Sequence, residues 1–168
     1  MAEDIVNRVA NSKLITLDLE DYYPNGERVL LDISNWLYEG IVLREKEFRV
    51  SVKQHNWSQY QDKYVAISCS TNAIIPAWAY MLIAVELQPF SRQTVVGNLE
   101  TLETVIYQKI ITDLDVSEFV DKPVIIKGCS KKLVPLNAYN LISSKLKPVA
   151  KSIMFGEACS NVPLFKRK

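Results

Sequence analysis

The chain has 168 residues, of which 48% are apolar and 23% are charged, and its net charge is +1 at pH 7. These are the proportions of one ordinary folded domain that is long enough to bury a core. The nearly neutral charge gives no general attraction to nucleic acid or anionic lipid, so we expect neither as a partner. The longest apolar run, residues 74–85, is too short to span a bilayer.

The first residues and the cysteines indicate a cytoplasmic protein. Glu3 and Asp4 make the start of the chain acidic, which is the reverse of a secretory signal. The three cysteines are an odd number and lie far apart, which argues against the disulfide framework of a secreted domain. We therefore expect a cytoplasmic location and a single domain over residues 1–168.

Two extended segments are predicted within residues 1–40. Residues 15–19 alternate between apolar and polar side chains, and residues 29–33 are apolar. Tyr22–Gly26 lies between them and is a turn signal. The pattern predicts an antiparallel hairpin at the N-terminal edge of a sheet.

Residues 43–97 and 102–156 are predicted to be two copies of one sequence. Aligned 59 positions apart, the two stretches share fourteen identities. A Cys-Ser pair falls one residue out of this register, because Gly128 is inserted in the second copy. A shared register of this length indicates an internal duplication.

The two copies predict the same order of elements. A helix with charged and apolar residues is followed by a short polar turn, a buried strand, a second helix and a final strand. The predicted ranges are 43–54 and 102–113 for the first helix, 64–68 and 123–127 for the buried strand, and 94–96 and 152–155 for the last strand.

Prolines mark both ends of the second helix in each copy. Pro76 and Pro135 stand where the helix begins, because proline in the first turn costs no hydrogen bond. The helices end before Pro89 and Pro148. Strands alternating with helices imply parallel strands joined by crossover helices. The predicted fold class is therefore α/β, with a largely parallel sheet that carries helices on both faces.

The second helices differ in polarity. Residues 76–88 are apolar almost all round, so this helix is predicted to be the most buried. Residues 135–147 include asparagines, serines and lysines, so one face of this helix is predicted to meet water.

All three cysteines are followed by serine and then by an aliphatic residue and proline. Cys69 and Cys129 come at the carboxyl ends of the matching buried strands, and Cys159 follows Gly156. Ligands bind at that edge of open parallel sheets, and helix N-termini there lower thiol pKa values.

Three thiolates at one edge are a candidate metal centre. Cys69, Cys129 and Cys159 could bind zinc with a fourth ligand, for which Glu157 is the nearest oxygen donor, or could hold an iron–sulfur cluster. The spacings are wide and no Cys-x-x-Cys motif is present, so buried structural cysteines are the competing interpretation.

Other candidate residues favour structural roles. His55 is the only histidine, and it precedes the strand that begins after Lys63, which places it at the sheet edge opposite the cysteines. The carboxylates Asp18, Glu20, Asp21 and Asp32 are predicted to form a solvated face. The sequence contains no dinucleotide-binding, phosphate-loop, zinc-protease or serine-hydrolase motif.

Five blocks of the sequence are distinctive, namely Leu43–Arg49, Trp57–Tyr60, Lys127–Ser130, Gly156–Ser160 and Val162–Leu164. Together they resemble an uncharacterised Bacteroidetes family, domain-of-unknown-function family 2480. The resemblance covers the whole chain and implies no activity and no catalytic residues. It implies at most a pathway, since members can lie beside iron–sulfur assembly genes.

Three functional hypotheses follow, and they leave open whether the protein is an enzyme. The first is a thiolate-based zinc or iron–sulfur binding or assembly factor that uses Cys69, Cys129 and Cys159. The second is a thiol enzyme centred on Cys129, where Gly128 would let a substrate approach the backbone. The third is a protein-interaction module without chemistry, for which protein partners are expected and the oligomeric state is open.

Overall fold

A computed structural model describes residues 14–128 and 131–168. Four α-helices and seven β-strands are found in these residues. The helices are α1 (Glu45–Gln54), α2 (Ala77–Leu87), α3 (Leu99–Asp113) and α4 (Leu136–Leu146). The strands are β1 (Ile15–Leu17), β2 (Arg28–Asp32), β3 (Tyr64–Ser68), β4 (Gln93–Val96), β5 (Pro123–Ile126), β6 (Ser152–Glu157) and β7 (Ser160–Lys166).

The chain divides into two compact units. The central unit is Pro24–Ile106, and the terminal unit is Met1–Tyr23 with Tyr107–Lys168, so the division falls within α3. The central unit contains a sheet of order β2-β3-β4, and the terminal unit contains a sheet of order β1-β5-β6-β7. The single sheet predicted from the sequence is therefore wrong, because the strands form two sheets.

The α/β fold class is confirmed. Every strand pair is parallel except β6 with β7, which is antiparallel. The four helices lie where the two copies predict them, to within about three residues at each end. Within the described residues, no helix has the length and apolar character that crossing a membrane requires.

The predicted N-terminal hairpin is wrong. β1 pairs in parallel with β5, whereas β2 pairs in parallel with β3, so the two strands belong to different sheets. Gly26, part of the expected turn signal, has a φ of +138° and lies against Tyr64, whose ring would be 2.8 Å from a Cβ at that position. The glycine therefore serves a close approach to an aromatic ring and not a hairpin turn.

Matching details recur 59 residues apart in the two units. Asp62 and Asp121 both have a positive φ, of 59° and 56°, and their N–H groups donate to Phe90 and Val149 carbonyl oxygens at 2.9 and 3.0 Å. Pro76 precedes α2 with the same extended conformation that Pro135 has before α4. The internal duplication itself stays a prediction.

Prolines end the helices by a different route from the one predicted. Gln88 and Lys147, which precede Pro89 and Pro148, keep helical φ and ψ angles. The helices therefore end because proline lacks the N–H that the next intrahelical hydrogen bond needs, and not because it changes the residue before it.

Each unit has its own hydrophobic core. In the central unit, β3 is buried along most of its length and packs with the inner faces of α1 and α2. In the terminal unit, Tyr107 is fully buried and its hydroxyl donates to the Leu19 carbonyl at 2.9 Å. This bond satisfies the polar end of a large, fully buried side chain.

Candidate functional site

Two of the three predicted thiolate ligands lie in the described residues, and they belong to different units. Cys69 follows β3 in the central unit; it is half-buried, and its Sγ lies 3.3 Å from Thr71 Oγ1. Cys159 lies in the two-residue turn between β6 and β7 of the terminal unit, where it is exposed. Both are free cysteines.

The predicted metal centre is not assembled by the described part of the chain. Within residues 14–128 and 131–168, no three His, Cys, Asp or Glu side chains are grouped so that they could hold a metal ion. Glu157, the candidate fourth ligand, is exposed at the end of β6. Cys129 lies outside the described residues, so the three-cysteine hypothesis is untested.

Gly128 lies against the side chain of Phe155, on the side where a substrate was expected to approach. A Cβ at this position would lie 2.9 Å from Cζ of Phe155 and 3.1 Å from its Cε1. The aromatic ring of β6 therefore takes up the close approach that the glycine allows.

Ser70, of the Cys-Ser pair, is part of a hydrogen-bonded cluster at the carboxyl ends of β2 and β3. Asp32 Oδ1 accepts the N–H groups of Ser34 at 3.0 Å and Ser70 at 3.1 Å, and Ser70 Oγ donates to Ser34 Oγ at 3.2 Å. Hydrogen bonding from the Ser70 side chain and then from the Ser34 N–H lowers the pKa of Asp32 to about 2. The carboxylate thus ties the segment after β3 to the end of β2.

Asp18 has a similar place in the terminal unit, after β1. Its Oδ1 accepts the Glu20 N–H at 2.9 Å, and its Oδ2 accepts Lys127 Nζ at 2.7 Å. Burial alone would raise the pKa of Asp18, but the bonds from Lys127 and Glu20 outweigh it and lower the pKa. Because Asp18 and Asp32 each stabilise their own unit, the carboxylates predicted to form one solvated face are instead separate structural groups.

Glu20 holds the segment that follows Cys129 and Ser130. Its Oε1 accepts the N–H groups of Lys131 and of Lys132, the latter at 3.0 Å. Lys132 Nζ donates back to the Glu20 carbonyl at 3.3 Å. Sequence reasoning missed this contact, since the residues are more than a hundred positions apart.

His55 is a structural residue in an aromatic cluster. Its Nε2 is 2.9 Å from the Tyr60 hydroxyl, and its ring lies 5.0 Å from that of Trp36 and 4.7 Å from that of Trp57. Burial lowers the pKa of His55, which favours the neutral imidazole. This agrees with the structural role that the sequence favoured.

The most unusual surface of the central unit is the side of α2 that faces away from the core. Ala79, Ile83 and Leu87 are completely buried. The opposite stripe, Ala77, Met81 and Val85, is exposed, and we call it the α2 outer face. Met81 is 66% exposed and Val85 is 68% exposed. The prediction that this helix is the most buried is therefore wrong, because an all-round apolar sequence does not by itself place a second element against its outer side.

Helix α4 provides an internal comparison. It buries Ala138, Ile142 and Leu146, which stand 59 positions after the buried residues of α2. At the positions that match Met81 and Val85, α4 carries Asn140 and Ser144, both exposed. The water-facing side predicted for this helix is confirmed.

An open groove lies at the start of α2. Its volume is about 490 Å³, and its walls include Ile41, Val42, Ile74 and Trp78. Ile74 is 92% exposed, Ile41 56% and Val42 48%. Like the α2 outer face, these side chains are exposed apolar groups of the central unit. Glu45 also lines the groove, and the Arg49 guanidinium lies 5.3 Å from the centre of the Trp78 ring.

Residues 3–167 match the family described as a protein of unknown function, DUF2480. The chain belongs to this family. The match confirms the family resemblance that the sequence blocks carry. No curated protein and no solved structure matches the chain. The family description assigns no activity, so the basis of function lies in the surfaces and side chains of this chain.

Proposed function

We propose that this chain is a protein-interaction module that pairs with a second copy of itself through the α2 outer face. One observation carries the proposal: α2 and α4 bury matching positions, yet only α2 has Met81 and Val85 where α4 has Asn140 and Ser144. A helix of this kind therefore does not need apolar residues on its outer side in order to fold.

Exposing such residues is unfavourable unless something covers them. Burial of one aliphatic side chain contributes roughly 1.5–3 kcal/mol. At about 25 cal/mol per Å², this energy corresponds to about 60–120 Å² of apolar area for each side chain. Five side chains are between 48% and 92% exposed here, namely Ile41, Val42, Ile74, Met81 and Val85. They present about 200–400 Å² of apolar surface on this scale. The largest apolar patch on a typical monomer is about 300–600 Å² and is often functional, so this total area fits an interaction site.

A second copy fits this surface in area and in charge. A standard interface buries about 800 Å² on each partner, and somewhat more than half of that area is apolar. The five side chains therefore supply roughly half to nine-tenths of the apolar part of one side. The α2 outer face has no charged residue, so a twofold axis beside the helix would place apolar side chains against each other without repulsion.

The mass of the protein in solution tests this proposal. Light scattering over a concentration series is expected to give a mass of two chains, and Met81→Asn/Val85→Ser is expected to give one. The substitutions copy α4, so the fold should persist, which circular dichroism checks. The control is Leu136→Asn, because Leu136 is an apolar residue that is 83% exposed on α4. It should leave the mass unchanged.

Two results would contradict the dimer. One is a single-chain mass for the unaltered protein at every concentration. The other is a double variant that stays folded and keeps the mass of two chains.

A cytoplasmic location is part of the same proposal, and the free cysteines Cys69 and Cys159 support it, since unpaired thiols are typical of a reducing compartment.

A second candidate function is the thiolate-based zinc or iron–sulfur centre of Cys69, Cys129 and Cys159. The supporting observation is that Cys69 follows β3 at the carboxyl edge of a parallel sheet and is a half-buried free thiol. Zinc and iron–sulfur clusters both favour thiolate ligands.

Anaerobic purification followed by metal analysis and an absorption spectrum tests this centre. We expect stoichiometric metal that is lost in the triple Cys→Ser variant. A colourless, metal-free protein whose triple variant is equally stable would exclude it. The single variant Cys159→Ser tells whether the exposed thiol is a ligand, because Cys159 is a free cysteine on the surface.

A further inference from the structure

Among the residues that the structure describes, strand β4 leaves one edge of the central sheet open, whereas its counterpart β6 is covered by β7. We propose that the β4 edge binds an extended segment of another protein as an additional antiparallel strand. This inference goes beyond the proposed dimer, because it concerns a sheet edge and not the α2 outer face.

Three strands of one sheet correspond to three strands of the other, and only the terminal unit has a fourth. In the central unit the order is β2-β3-β4, and in the terminal unit it is β1-β5-β6 followed by β7. Strand β4 begins at Gln93 and β6 begins at Ser152, 59 positions later. Within the described part of the chain, β4 pairs with β3 and with no further strand.

The free backbone groups of β4 point the same way as those of β6 that bind β7. The Gly97 N–H donates to the Ile67 carbonyl at 2.9 Å, on the β3 side. Because N–H groups alternate in direction along a strand, Thr94 and Val96 direct theirs away from β3.

The corresponding residues of β6 show what such groups bind. Ile153 and Phe155 stand 59 positions after Thr94 and Val96, and they pair with Phe165 and Val162 of β7. The terminal unit thus contains the occupied form of the arrangement that the central unit leaves open.

Edge protection also differs between the strands. β7 forms the outer edge of its sheet and contains Pro163 and Lys166, and its pairing with β6 has a register shift near Ile153 and Met154. Proline, lysine and bulges are the usual devices that prevent an edge strand from pairing again. Gln93–Val96 has no proline and no charged residue, and Val96 is 52% exposed.

These features define the kind of partner. Main-chain hydrogen bonds would supply most of the affinity, as in other complexes formed by strand addition. The segment would run antiparallel to β4 and be about four to seven residues long, with free N–H groups at alternate positions. An apolar residue is expected opposite Val96, as Val162 is opposite Phe155.

Chemical-shift mapping by NMR tests the proposal with a defined probe. The probe is the acetylated, amidated peptide of residues 160–168, which contains the β7 sequence. Added to the full chain, it is expected to shift the amide signals of Thr94 and Val96 in a saturable way. The matched control peptide is N-methylated at its Val162 and Phe165 nitrogens, and it should bind at least about tenfold more weakly because two donors are removed.

Protein variants separate this edge from the dimer surface. Val96→Pro removes an outward N–H and should abolish the shift at Thr94, whereas Val96→Ala keeps the N–H and should retain it. Met81→Asn/Val85→Ser should bind the peptide as the unaltered chain does, whatever its mass in solution.

Three results would overturn the proposal. The first is the absence of shifts at Thr94 and Val96 at high peptide concentration. The second is shifts confined to β6 or to α2. The third is slow hydrogen exchange of the Thr94 and Val96 amides in the free chain, which would show that a second copy or another part of this chain already pairs with the edge.

Discussion

Arg28 and Glu103 form a buried ion pair in the central unit, with Arg28 Nε donating to Glu103 Oε1 at 2.6 Å. Their side chains are 11% and 1% exposed. The guanidinium also donates to the carbonyls of Pro24 and Gly26, and it lies 4.8 Å from the centre of the Tyr64 ring. The pair therefore joins the start of β2 to α3 within the central unit.

Removing the charge of Glu103 should destabilise the protein strongly. Glu103→Gln removes the negative charge that lies against the buried guanidinium, so we expect the free energy of unfolding to fall by about 3–5 kcal/mol. Urea denaturation measures this. The control Glu27→Gln, in an exposed pair with Lys63, should cost only about 0–1 kcal/mol. If Glu103→Gln does not fold, Arg28→Met/Glu103→Leu should recover folding, since apolar replacement of both partners is tolerated. Equal effects of Glu103→Gln and Glu27→Gln would contradict the prediction.

Asp32 should make stability depend on pH in the acid range. Its pKa is about 2 in the folded chain, against about 3.9 in the unfolded chain, so the unfolded state binds the proton more tightly. The stabilisation is complete above pH 4 and is lost as the pH falls towards 2. Between pH 5 and pH 2, the free energy of unfolding should therefore fall by about 1–2 kcal/mol less in Asp32→Asn than in the unaltered chain. Urea denaturation at each pH measures this difference.

A second variant separates the contributions of Ser70 and Ser34 to the low pKa of Asp32. Ser70→Ala removes the hydroxyl but keeps the Ser34 N–H bond, so part of the acid sensitivity should remain. If the stability of Asp32→Asn falls with pH as steeply as that of the unaltered chain, Asp32 is not the source of the acid sensitivity.

Local patterns predicted the elements well because their causes are local. The β-branched apolar run of β3 and the proline before α2 each fix a short stretch of backbone without reference to the rest of the chain. The choice of strand partner is not local. Residues 15–17 pair with β5, which lies more than a hundred positions away in the sequence. The turn signal near Gly26 had instead predicted pairing with the next strand along the chain.

The candidate surfaces were harder to predict for the same reason. An all-apolar helix such as α2 is typical of full burial, and only the fold reveals that Met81 and Val85 face away from the core. The open edge of β4 likewise depends on β7, a strand that the sequence did not indicate. The Cys-Ser pattern was visible, but its serine proved to be a partner of Asp32.

Asp62 and Asp121 should respond alike to substitution. Both adopt the left-handed conformation, in which a β-branched side chain is strained. Asp62→Val and Asp121→Val are each expected to cost about 1–3 kcal/mol, whereas asparagine at either site should stay within about 0.5 kcal/mol. Thermal or urea unfolding of the four variants checks this. Similar costs at both sites would support the predicted duplication, and valine variants as stable as the asparagine variants would contradict the strain.

Thiol reactivity distinguishes the roles that the cysteines can have. Cys159 is exposed in a turn and Cys69 is half-buried beside Thr71, so iodoacetamide should modify Cys159 on the order of tenfold faster, as followed by mass spectrometry of the peptides. In urea the two rates should converge, because the difference comes from access. Equal rates in the folded chain would contradict this assignment.

The rate at Cys129 then discriminates between the thiol hypotheses. A rate well above that of exposed Cys159 near neutral pH would indicate an activated thiolate, as a thiol enzyme requires. Zinc that slows all three cysteines together would indicate shared ligation instead, since a bound thiolate is not free to react. If Cys129 reacts no faster than Cys159 and zinc protects none of the three, both thiol functions are excluded and the interaction surfaces of the central unit remain as the basis of function.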